Sequence, residues 1–378
     1  MTVLQDVHEA HGATFTDRGG RRIVDTYGRP ERTHRAVRTV VGVCEFDYGV
    51  LTITGEDRIE FVDNAVTNRV PTTDGQGVYA LLCDPQGTIT TDMYVYNAGE
   101  RLLVFVPPSR VEAVCTDWQD KTFIQDVEIR DATDEFAVFG VHGPKATEKI
   151  ASVLNKAASP EDRLSFVRGS MGDAGVTVVR GDGLAGEEGY EVICTAEAAE
   201  DVFDTLVNRG MNAAPFGYRT WNTLTIEAGT PLFETELDGR IPNVAGVRNA
   251  LDFEKGCYVG QEVVSRVENR GRPSQRLVGL RTEVVAESGA GIFAGDSAVG
   301  EVTRAVESPD REEPIALAAV DSEVAPTLDR ASTAGPDDDE QAFSVRVDGE
   351  AVAAVVVELP FVEGSEQTAR LPTYPADA

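Results

Sequence analysis

The stretch VYALLCDPQGTITTDMYVYNAGERLLVFVP, residues 78–107, decides the fold of the first part of the chain. It holds three runs rich in β-branched, aromatic and other apolar residues, separated by turn signals at residues 84–87 (DPQG) and 97–99 (NAG). Short turns of this composition join neighbouring antiparallel strands, so we predict an antiparallel meander. Helices are predicted on either side, over residues 57–68 and within SRVEAVCTDWQDKT, because apolar residues recur there at helical spacing.

Strands and helices alternate again further along the chain. DEFAVFGVHGPKATEKIASVL indicates a strand and then a helix, GVTVVRGDGLAGEEGYEVICTA indicates two strands joined by a turn, and AEAAEDVFDTLVNRG indicates an amphipathic helix that ends at Gly210. Beyond residue 275, short strands with Gly-rich turns are typical of a small all-β barrel or sandwich. An acidic stretch within that part, ASTAGPDDDEQA (residues 331–342), predicts an inserted loop.

These patterns predict an α+β protein with three lobes. The first is an α+β domain over residues 1–135, and the second is an α+β, ferredoxin-like domain over residues 136–274. The third is a C-terminal β-barrel over residues 275–378. Both α+β domains are expected to be built on antiparallel sheets.

The chain is strongly acidic. Its 378 residues carry 64 Asp and Glu against 34 Lys and Arg, a formal net charge of −30, and only five of the basic residues are lysines. Such a charge argues against simple electrostatic binding to nucleic acid or to an anionic membrane. Acid-rich, lysine-poor surfaces suit a salt-filled cytosol, which predicts a halophilic source. With 42% hydrophobic residues in regular patterns, the chain is not an acidic disordered protein.

The cysteines and histidines predict neither disulfides nor a bound metal. Five cysteines lie far apart without a C-x-x-C pair, and His8 and His11 lack the H-E-x-x-H spacing of a helical zinc site. The N-terminal sequence MTVLQDVHEAHGATF has no basic segment followed by an apolar run, and no apolar stretch of about eighteen residues occurs. We therefore predict a soluble, cytoplasmic protein.

The segment GDGLAG, residues 181–186, matches the G-x-G-x-x-G pattern of dinucleotide-binding loops. That fingerprint must open a helix, whose N-terminal N–H groups meet the pyrophosphate. Here the chain continues as EEGYEVICT, which predicts another strand. A hairpin turn is therefore favoured over a nucleotide site. The chain also lacks the G-x-x-x-x-G-K-[ST] loop of nucleoside triphosphatases.

One cysteine has unusual neighbours. Cys257 lies in LDFEKGCYVGQEVVSR, with Lys255 two residues before it and Arg266 after it. Nearby cations favour a thiolate, so the segment is a candidate reactive site. The flanking glycines at positions 256 and 260 are equally compatible with an ordinary tight turn.

The motif KGCYVGQE, residues 255–262, resembles the signature of the YgfZ family of folate-binding proteins, which are linked to iron–sulfur cluster assembly or repair. The rest of the chain resembles the larger superfamily that contains the glycine cleavage T-protein, an aminomethyltransferase that uses tetrahydrofolate. The resemblance extends over nearly the whole length. The segments that carry it include HEAHGATF, GEDRIEFVDNAVTNRV, HGPKA, GEEGYEV, IEAGTPLFETELDGRIPNVAGV, GEVTRAVES and IALAAV.

The resemblance implies particular site residues around a central folate channel. Asp92 matches an aspartate that faces the reactive nitrogens of the folate, and Tyr79 matches a folate-contacting tyrosine. Glu187 matches a glutamate that accepts paired hydrogen bonds from the pterin, with Glu188 as the alternative one position along. Asn68 lies in a stretch that lines the channel in the family.

Each of these residues has an ordinary structural alternative. Asp92 is also compatible with capping a hairpin, Tyr79 with a plain strand position, and Glu187 with a solvated carboxylate in a very acidic chain. Their occurrence together at the family's spacing favours the ligand site.

The chain also departs from the T-protein pattern. Where that protein usually reads A-R-D-S-L-R-L-E-A-G, this chain reads TWNTLTIEAG, with Trp221 and Thr225 in the two arginine positions. The tryptophan resembles the YgfZ branch. The usual Y-T-G-E is replaced by residues 184–187, LAGE. The long N-terminal segment and the complete C-terminal barrel resemble the T-protein instead.

Three functions are consistent with these features. The first is a YgfZ-type tetrahydrofolate-binding protein with one-carbon chemistry that supports iron–sulfur cluster assembly or repair. In it, Asp92 and Glu187 hold the pterin, and Cys257, Lys255 and Arg266 lie at the surface near the channel mouth. The second is an aminomethyltransferase that moves a methylene group from a lipoyl carrier protein to tetrahydrofolate. The third is a non-catalytic folate-binding scaffold for cluster-assembly partners.

Overall fold

The computed structural model of the chain describes residues 4–324 and 343–375, so the loop predicted at residues 331–342 lies outside the described residues. The helices of the described part are α1 Gln5–Ala10, α2 Pro30–Thr39, α3 Arg58–Ala65, α4 Val111–Asp120, α5 Ala146–Val153, α6 Ala199–Asn208, α7 Tyr218–Glu227, α8 Pro242–Ala245 and α9 Gln261–Arg270.

The strands fall into two groups along the chain. Those of the first two-thirds are β1 Thr14–Arg18, β2 Arg21–Thr26, β3 Gly42–Phe46, β4 Gly49–Thr54, β5 Gln76–Cys83, β6 Ile89–Asn97, β7 Leu102–Val106, β8 Glu128–Asp131, β9 Phe136–His142, β10 Phe166–Met171, β11 Ala174–Arg180, β12 Gly189–Thr195 and β13 Ala214–Pro215. Those of the last third are β14 Gln275–Thr282, β15 Gly291–Ala294, β16 Ser297–Ser308, β17 Glu313–Asp321, β18 Phe343–Val347 and β19 Glu350–Val357.

The meander predicted over residues 78–107 is confirmed as β5, β6 and β7, which pair antiparallel in sequence order. They form a five-stranded sheet in the order β5-β6-β7-β4-β8. Gly87 closes the first turn with φ +78°, a left-handed conformation that glycine adopts at little cost. Helices α3 and α4 pack on this sheet through a core that contains Val62, Val95, Val104 and the fully buried Trp118.

A second sheet has the order β10-β11-β12-β9-β3-β13. Its strand β3 comes from the part of the chain predicted for the first domain, and β3 pairs with β9 from residue 42 to residue 46. The predicted boundary at residue 135 therefore does not separate the two sheets. The pairing of β13 with β3 is parallel, whereas the other pairs of this sheet are antiparallel. The segment GDGLAG joins strand β11 to strand β12, as the hairpin interpretation predicted.

The last six strands form a closed barrel in the order β14-β17-β16-β15-β18-β19. Residues 359–375 follow the last barrel strand and pack against the other two lobes. We call this segment the C-terminal strap. Phe361 N–H donates to Glu227 O at 2.9 Å, and the Tyr374 hydroxyl donates to Val244 O at 2.9 Å. The strap is thus attached near both ends.

This architecture confirms the predicted α+β fold with two sheet-based lobes and a C-terminal β-barrel. Within the described residues, no helix has both the length and the apolar composition needed to span a bilayer.

Candidate functional site

Two of the predicted site residues meet on adjacent strands. In the β5–β6 pair, Tyr79 lies opposite Tyr94 and Asp92 lies opposite Leu81, so Tyr79 and Asp92 are diagonal neighbours on one face of the sheet. The Tyr79 hydroxyl donates a hydrogen bond of 3.0 Å to Asp92 Oδ2, and both side chains are buried. The meander therefore creates a buried tyrosine–aspartate pair.

An arginine from the C-terminal strap completes this pair. Arg370 Nη1 donates to Asp92 Oδ2 at 3.1 Å, and Nη2 donates to the Tyr94 hydroxyl at 2.5 Å. The guanidinium carbon lies 3.8 Å from the centre of the Tyr79 ring, within cation–π range. Arg370 is itself buried. Sequence reasoning missed it, because nothing in the segment around residue 370 indicates a functional site.

Two further carboxyl groups lie close to this arginine. The Tyr94 hydroxyl donates to Asp182 Oδ1 at 3.2 Å, and the Tyr48 hydroxyl donates to Glu191 Oε1 at 3.0 Å. The second oxygens, Asp182 Oδ2 and Glu191 Oε2, are buried and accept no hydrogen bond from the described residues. Buried acceptors of this kind indicate a site built for a ligand or for water.

Burial controls the ionisation of these acids. It raises the pKa of Asp92, although the charge of Arg370 and the hydrogen bond from Tyr79 oppose that effect. Burial also raises the pKa of Asp182, again against the charge of Arg370. Burial raises the pKa of Glu191 to about 7. The cluster thus gathers several carboxyl groups with raised pKa values around one cation, and perturbed pKa values of this kind are common in functional sites.

Asp92 and Arg370 line a cavity with aromatic walls. Phe46, Tyr94 and Trp221 contribute to these walls. Both side-chain hydrogen bonds to the Asp92 carboxylate end on Oδ2, whereas no side chain of the described residues donates to Oδ1. A flat, partly polar ring could stack on these walls and bind the remaining carboxylate oxygen.

Glu187 lies in the same region but is engaged by protein groups. Its Oε1 accepts a hydrogen bond of 3.1 Å from Arg38 Nη1, and its Oε2 accepts bonds from the N–H and the hydroxyl of Ser365 at 2.9 and 2.6 Å. Glu188 faces elsewhere, since its carboxylate binds the Thr147 hydroxyl at 2.6 Å. Of the two glutamates, Glu187 is therefore the buried one, but it is not among the residues that line the aromatic cavity.

Asn68 supports the meander rather than the cavity. Its side-chain amide donates to Tyr79 O and to Asn249 O, both at 2.9 Å. These bonds tie β5 to the segment that precedes the KGCYVGQE motif. Asn68 is not among the residues that line the aromatic cavity.

The three residues predicted around the motif cysteine do not form one group. Lys255 is buried rather than at the surface, because its ammonium group donates to the carbonyls of Asp63, Val66 and Asn68 at 2.5, 2.9 and 2.9 Å. These are carbonyls at the carboxyl end of α3, where a helix leaves acceptors without partners. Cys257 and Arg266 are exposed.

The motif borders a cavity of its own. Val259 lines it together with Thr91 and Trp118, whereas Asp92, next to Thr91, lines the aromatic cavity. Adjacent strand residues point to opposite faces of a sheet. The motif and the aspartate are therefore associated with different cavities.

The two positions at which the T-protein usually has arginine have distinct environments in this chain. Trp221 lines the aromatic cavity, with its ring centre 4.8 Å from that of Phe46. The Thr225 hydroxyl accepts a hydrogen bond of 3.0 Å from Arg304, an arginine of the barrel strand β16. Arg304 also binds both carboxylate oxygens of Glu236 at 3.0 and 3.1 Å. A guanidinium is thus supplied to the Thr225 position from another lobe.

One group of described residues has the composition of a metal site. Ligand atoms of His34, Glu227 and Asp310 lie within 4.8 Å of one another. Arg38 already occupies this group, because its guanidinium lies 2.6 Å from Glu227 Oε2 and 3.5 Å from Asp310 Oδ2. A guanidinium in this position repels a second cation. The prediction that the chain binds no metal remains a prediction.

The chain is a multidomain protein with two sheet-based lobes and a C-terminal barrel. A buried aspartate lines its aromatic cavity. The family described as "GCVT N-terminal domain" matches residues 4–255, and that described as "Glycine cleavage T-protein C-terminal barrel domain" matches residues 275–363. The chain therefore belongs to the glycine cleavage T-protein family.

Similar curated proteins include aminomethyltransferases from several bacteria. The chain is 33% identical to an aminomethyltransferase of Streptomyces coelicolor over 333 residues, which is 85% of this chain and 89% of that protein. It is 30% identical to an aminomethyltransferase of Saccharopolyspora erythraea over 372 residues, covering 96% of this chain and 97% of that protein. The crystal structure of glycine cleavage system aminomethyltransferase T from Bartonella henselae matches with a TM-score of 0.82 at 20% identity, covering 97% and 99% of the two chains. That likeness supports the fold.

These findings confirm the predicted superfamily. They favour the aminomethyltransferase alternative over the YgfZ-type function that the sequence motif suggested, since the similar proteins are named for the former. The YgfZ subtype, the halophilic source and the cytoplasmic location remain predictions.

Proposed function

We propose that this chain is a folate-dependent aminomethyltransferase, which transfers a methylene group from an aminomethyl group on a lipoyl carrier protein to tetrahydrofolate and releases the amino group as ammonia and the carrier as its dihydrolipoyl thiol. Membership of the T-protein family and the names of similar proteins support the reaction type. The observation that carries the proposal is Asp92, a buried carboxylate that lines an aromatic cavity and has one oxygen held by Tyr79 and Arg370, while no described side chain donates to the other oxygen.

The cavity has the chemistry that a pterin requires. A pterin is a flat heteroaromatic ring with N–H donors at its edge, and such rings stack on aromatic side chains and donate to carboxylates. Phe46, Tyr94 and Trp221 offer the walls, and Asp92 offers the acceptor. Bound tetrahydrofolate would supply the nitrogens that accept the methylene group.

Glu187 has fewer free hydrogen-bonding positions than the paired pterin bonds implied by the resemblance would need. A carboxylate oxygen accepts two hydrogen bonds readily, and Glu187 Oε2 already accepts two from Ser365. Oε1 accepts one, from Arg38. Glu187 therefore has room for a single further hydrogen bond as the strap lies, and it is not among the residues that line the aromatic cavity, so paired bonds to a pterin would require Ser365 to move.

Asp92 has two tasks in this proposal. Its carboxylate orients the folate, and its negative charge stabilises positive charge that develops on nitrogen during transfer. Because Tyr79 and Arg370 hold Oδ2, the side chain is fixed before substrate binds, and little reorganisation is needed at the moment of reaction. The surrounding aromatic side chains exclude water and strengthen this electrostatic effect.

The test is a transfer assay with the full chain, tetrahydrofolate and an aminomethyl-loaded lipoyl carrier protein, in which methylene-tetrahydrofolate is measured. The proposal predicts turnover that requires both substrates. Saturable folate binding without any turnover would support the non-catalytic scaffold and contradict the proposed enzyme.

A YgfZ-type role in iron–sulfur cluster assembly or repair is the second candidate. The exposure of Cys257 within KGCYVGQE favours it, because a thiol must reach a partner or a one-carbon adduct to react. Cys257→Ala separates the two functions. Loss of cluster-dependent enzyme activities in cells, with aminomethyl transfer unchanged in vitro, would support this candidate, whereas unchanged cellular activities would exclude a role for the thiol.

A further inference from the structure

The C-terminal strap is built into the site rather than resting on the surface. Gly364 approaches the β11–β12 connection so closely that a Cβ atom there would lie 1.9 Å from Gly186 O. The strap then places Ser365 on Glu187 and forms a backbone bond of 2.9 Å from Ala369 N to Asp182 O. At its far end, Leu277 N donates to the Tyr374 hydroxyl at 2.7 Å. These contacts fix the path of the chain on both sides of residue 370.

This fixed path delivers one cation to a cluster of buried acids. Arg370 has 4% of its surface exposed, and its guanidinium contacts Asp92 and Tyr94 by hydrogen bonds. Its Nε lies 3.8 Å from Asp182 Oδ2. An unpaired carboxylate at such a depth would be driven to its neutral form by desolvation.

The hydrogen bonds to Asp92 divide its two oxygens between protein and cavity. Tyr79 and Arg370 both donate to Oδ2. No side chain of the described residues donates to Oδ1, and Asp92 lines the aromatic cavity. This asymmetry is the arrangement expected when one oxygen fixes the side chain and the other serves a ligand.

We propose that Arg370 is a positioning residue for Asp92: carried into the site by the C-terminal strap, it holds the aspartate ionised and oriented with Oδ1 toward the cavity. The inference rests on the proposed function, since it assigns to the strap the task of preparing the carboxylate that the transfer reaction uses. It makes the strap, which follows the barrel, a part of the active site of the preceding lobes.

The groups around Asp92 determine in which direction its pKa changes when Arg370 is removed. The ionisable side chains buried around Asp92 and Arg370 are Tyr48, Tyr79, Tyr94, Tyr96, Asp182 and Glu191. The other charged residues that line the cavity are Arg18, Asp47 and Glu234. Arg18 pairs with Glu234 at 2.6 Å and Asp47 pairs with Arg21 at 2.7 Å, so these charges are largely compensated. Arg370 is therefore the cation that acts directly on Asp92, and when it is removed the cation left in the cavity lining is Arg18, which is already paired with Glu234.

The test measures the titration of Asp92 directly and without folate. Protein labelled with ¹³C at the aspartate carboxyl carbons is titrated by NMR, and the Asp92 signal is assigned by its absence in Asp92→Asn. Arg370→Gln is expected to raise the midpoint by at least about one pH unit, a tenfold change in the ionisation constant. Arg370→Lys, which keeps the charge, should restore at least half of that shift.

A midpoint that is the same in wild type and Arg370→Gln would overturn the proposal. Citrulline at position 370, introduced by ligation of a synthetic C-terminal peptide, keeps the shape of arginine without its charge and gives the same readout if the glutamine variant does not fold. Because the titration needs no folate, failure of the proposed function, seen as absent folate binding, is distinguishable from failure of this inference.

Tetrahydrofolate binding is a second measurement, and it distinguishes a positioning role of Arg370 from simple obstruction of the folate site. If Arg370 merely occupies the folate site, Arg370→Gln will bind tetrahydrofolate more tightly than wild type, which would contradict the proposal. The proposal instead expects at least tenfold weaker binding at neutral pH, with affinity recovering in Arg370→Lys.

Discussion

The Arg370 guanidinium lies 3.1 Å from the Asp92 carboxylate, measured from Nη1 to Oδ2, although 278 positions of sequence separate the two residues. Asp92 belongs to a strand of the five-stranded sheet, and Arg370 belongs to the strap that follows the barrel. This one contact joins the first lobe to the end of the described chain, at the buried carboxylate on which the proposed chemistry depends.

Asp92→Asn tests the charge of this residue at nearly constant shape. We expect aminomethyl transfer to fall by at least about 100-fold, because the amide neither orients the folate as a carboxylate does nor stabilises positive charge. Steady-state rates measure the effect, with circular dichroism as the check on folding. Asp47→Asn is the matched control, since it removes a cavity carboxylate that is paired with Arg21. Equal losses in both variants would contradict a special role for Asp92.

Tyr79→Phe removes the hydroxyl that donates to Asp92 Oδ2 and keeps the ring beneath Arg370. That hydrogen bond lowers the pKa of Asp92, so its loss should raise the pKa and move the acid limb of the rate profile to higher pH. We expect kcat/KM to fall about tenfold, the value of one hydrogen bond to a charged group. Tyr96→Phe, on the same sheet without a bond to Asp92, should leave the profile unchanged. A shift in both variants would point to general loosening of the sheet.

Lys255→Met tests whether the motif lysine is structural. Its ammonium group satisfies three backbone carbonyls at the end of α3, and its removal leaves them buried without that donor. We expect a loss of about 2 to 4 kcal/mol in the free energy of unfolding, measured by chemical denaturation. Lys121→Met, at an exposed i,i+4 pair, should change stability by less than about 0.5 kcal/mol. A stable Lys255→Met variant that lacks activity would instead favour a chemical role.

His142 predicts a specific loss of stability in acid. Burial lowers its pKa from 6.5 to about 3, and neither ring nitrogen has a hydrogen-bond partner among the described residues. Below pH 6.5 the unfolded chain therefore binds a proton that the folded chain does not bind until about pH 3. The free energy of unfolding should therefore decrease as the pH is lowered from 6.5 to about 3, with a slope of up to about 1.4 kcal/mol per pH unit from this group.

The slope can be assigned by substitution. His142→Leu should reduce the acid dependence of the free energy of unfolding, whatever its effect on stability at neutral pH. His11→Gln, at an exposed histidine, is the control and should keep the slope of the wild type. An unchanged slope in His142→Leu would show that other groups dominate acid unfolding.

Gly364→Ala tests the close approach of the strap. The added Cβ would meet backbone at Gly186 and the Glu187 carboxylate, at 1.9 and 2.7 Å, so the strap must shift. We expect about 1 to 3 kcal/mol of destabilisation, as for other overpacked sites. Gly256→Ala, where no atom lies within 4 Å of the new Cβ, should be neutral. Equal stability of the two variants would mean that the strap is only loosely held.

How far the site could be predicted depended on how local its contacts are. Tyr79 and Asp92 are identified through the resemblance to the family, and they lie on consecutive strands joined by a recognisable turn, whose pairing brings them to one sheet face. Arg370 reaches Asp92 through a strap whose path depends on the packing of three lobes, and no periodicity encodes such a path. For the same reason, the sequence predicted Lys255 at the surface beside the cysteine. In the structure its ammonium group is buried, because it donates to carbonyls at and just beyond the carboxyl end of α3.

In the fold, too, local features could be predicted and contacts between residues far apart in sequence could not. The β5–β6–β7 meander follows from local turns and was predicted with its strand order. The insertion of β3 between β9 and β13 pairs Gly42 with His142 and with Ala214, and local patterns do not specify pairing over such sequence distances.

The central claim is tested most directly by calorimetric titration of the wild type and of Asp92→Asn with tetrahydrofolate at neutral pH. The account predicts saturable binding of one tetrahydrofolate per chain in the wild type and at least about tenfold weaker binding in the variant, since a hydrogen bond to a charged group is lost. Absence of detectable binding to the wild type, or equal affinity in the two proteins, would contradict it.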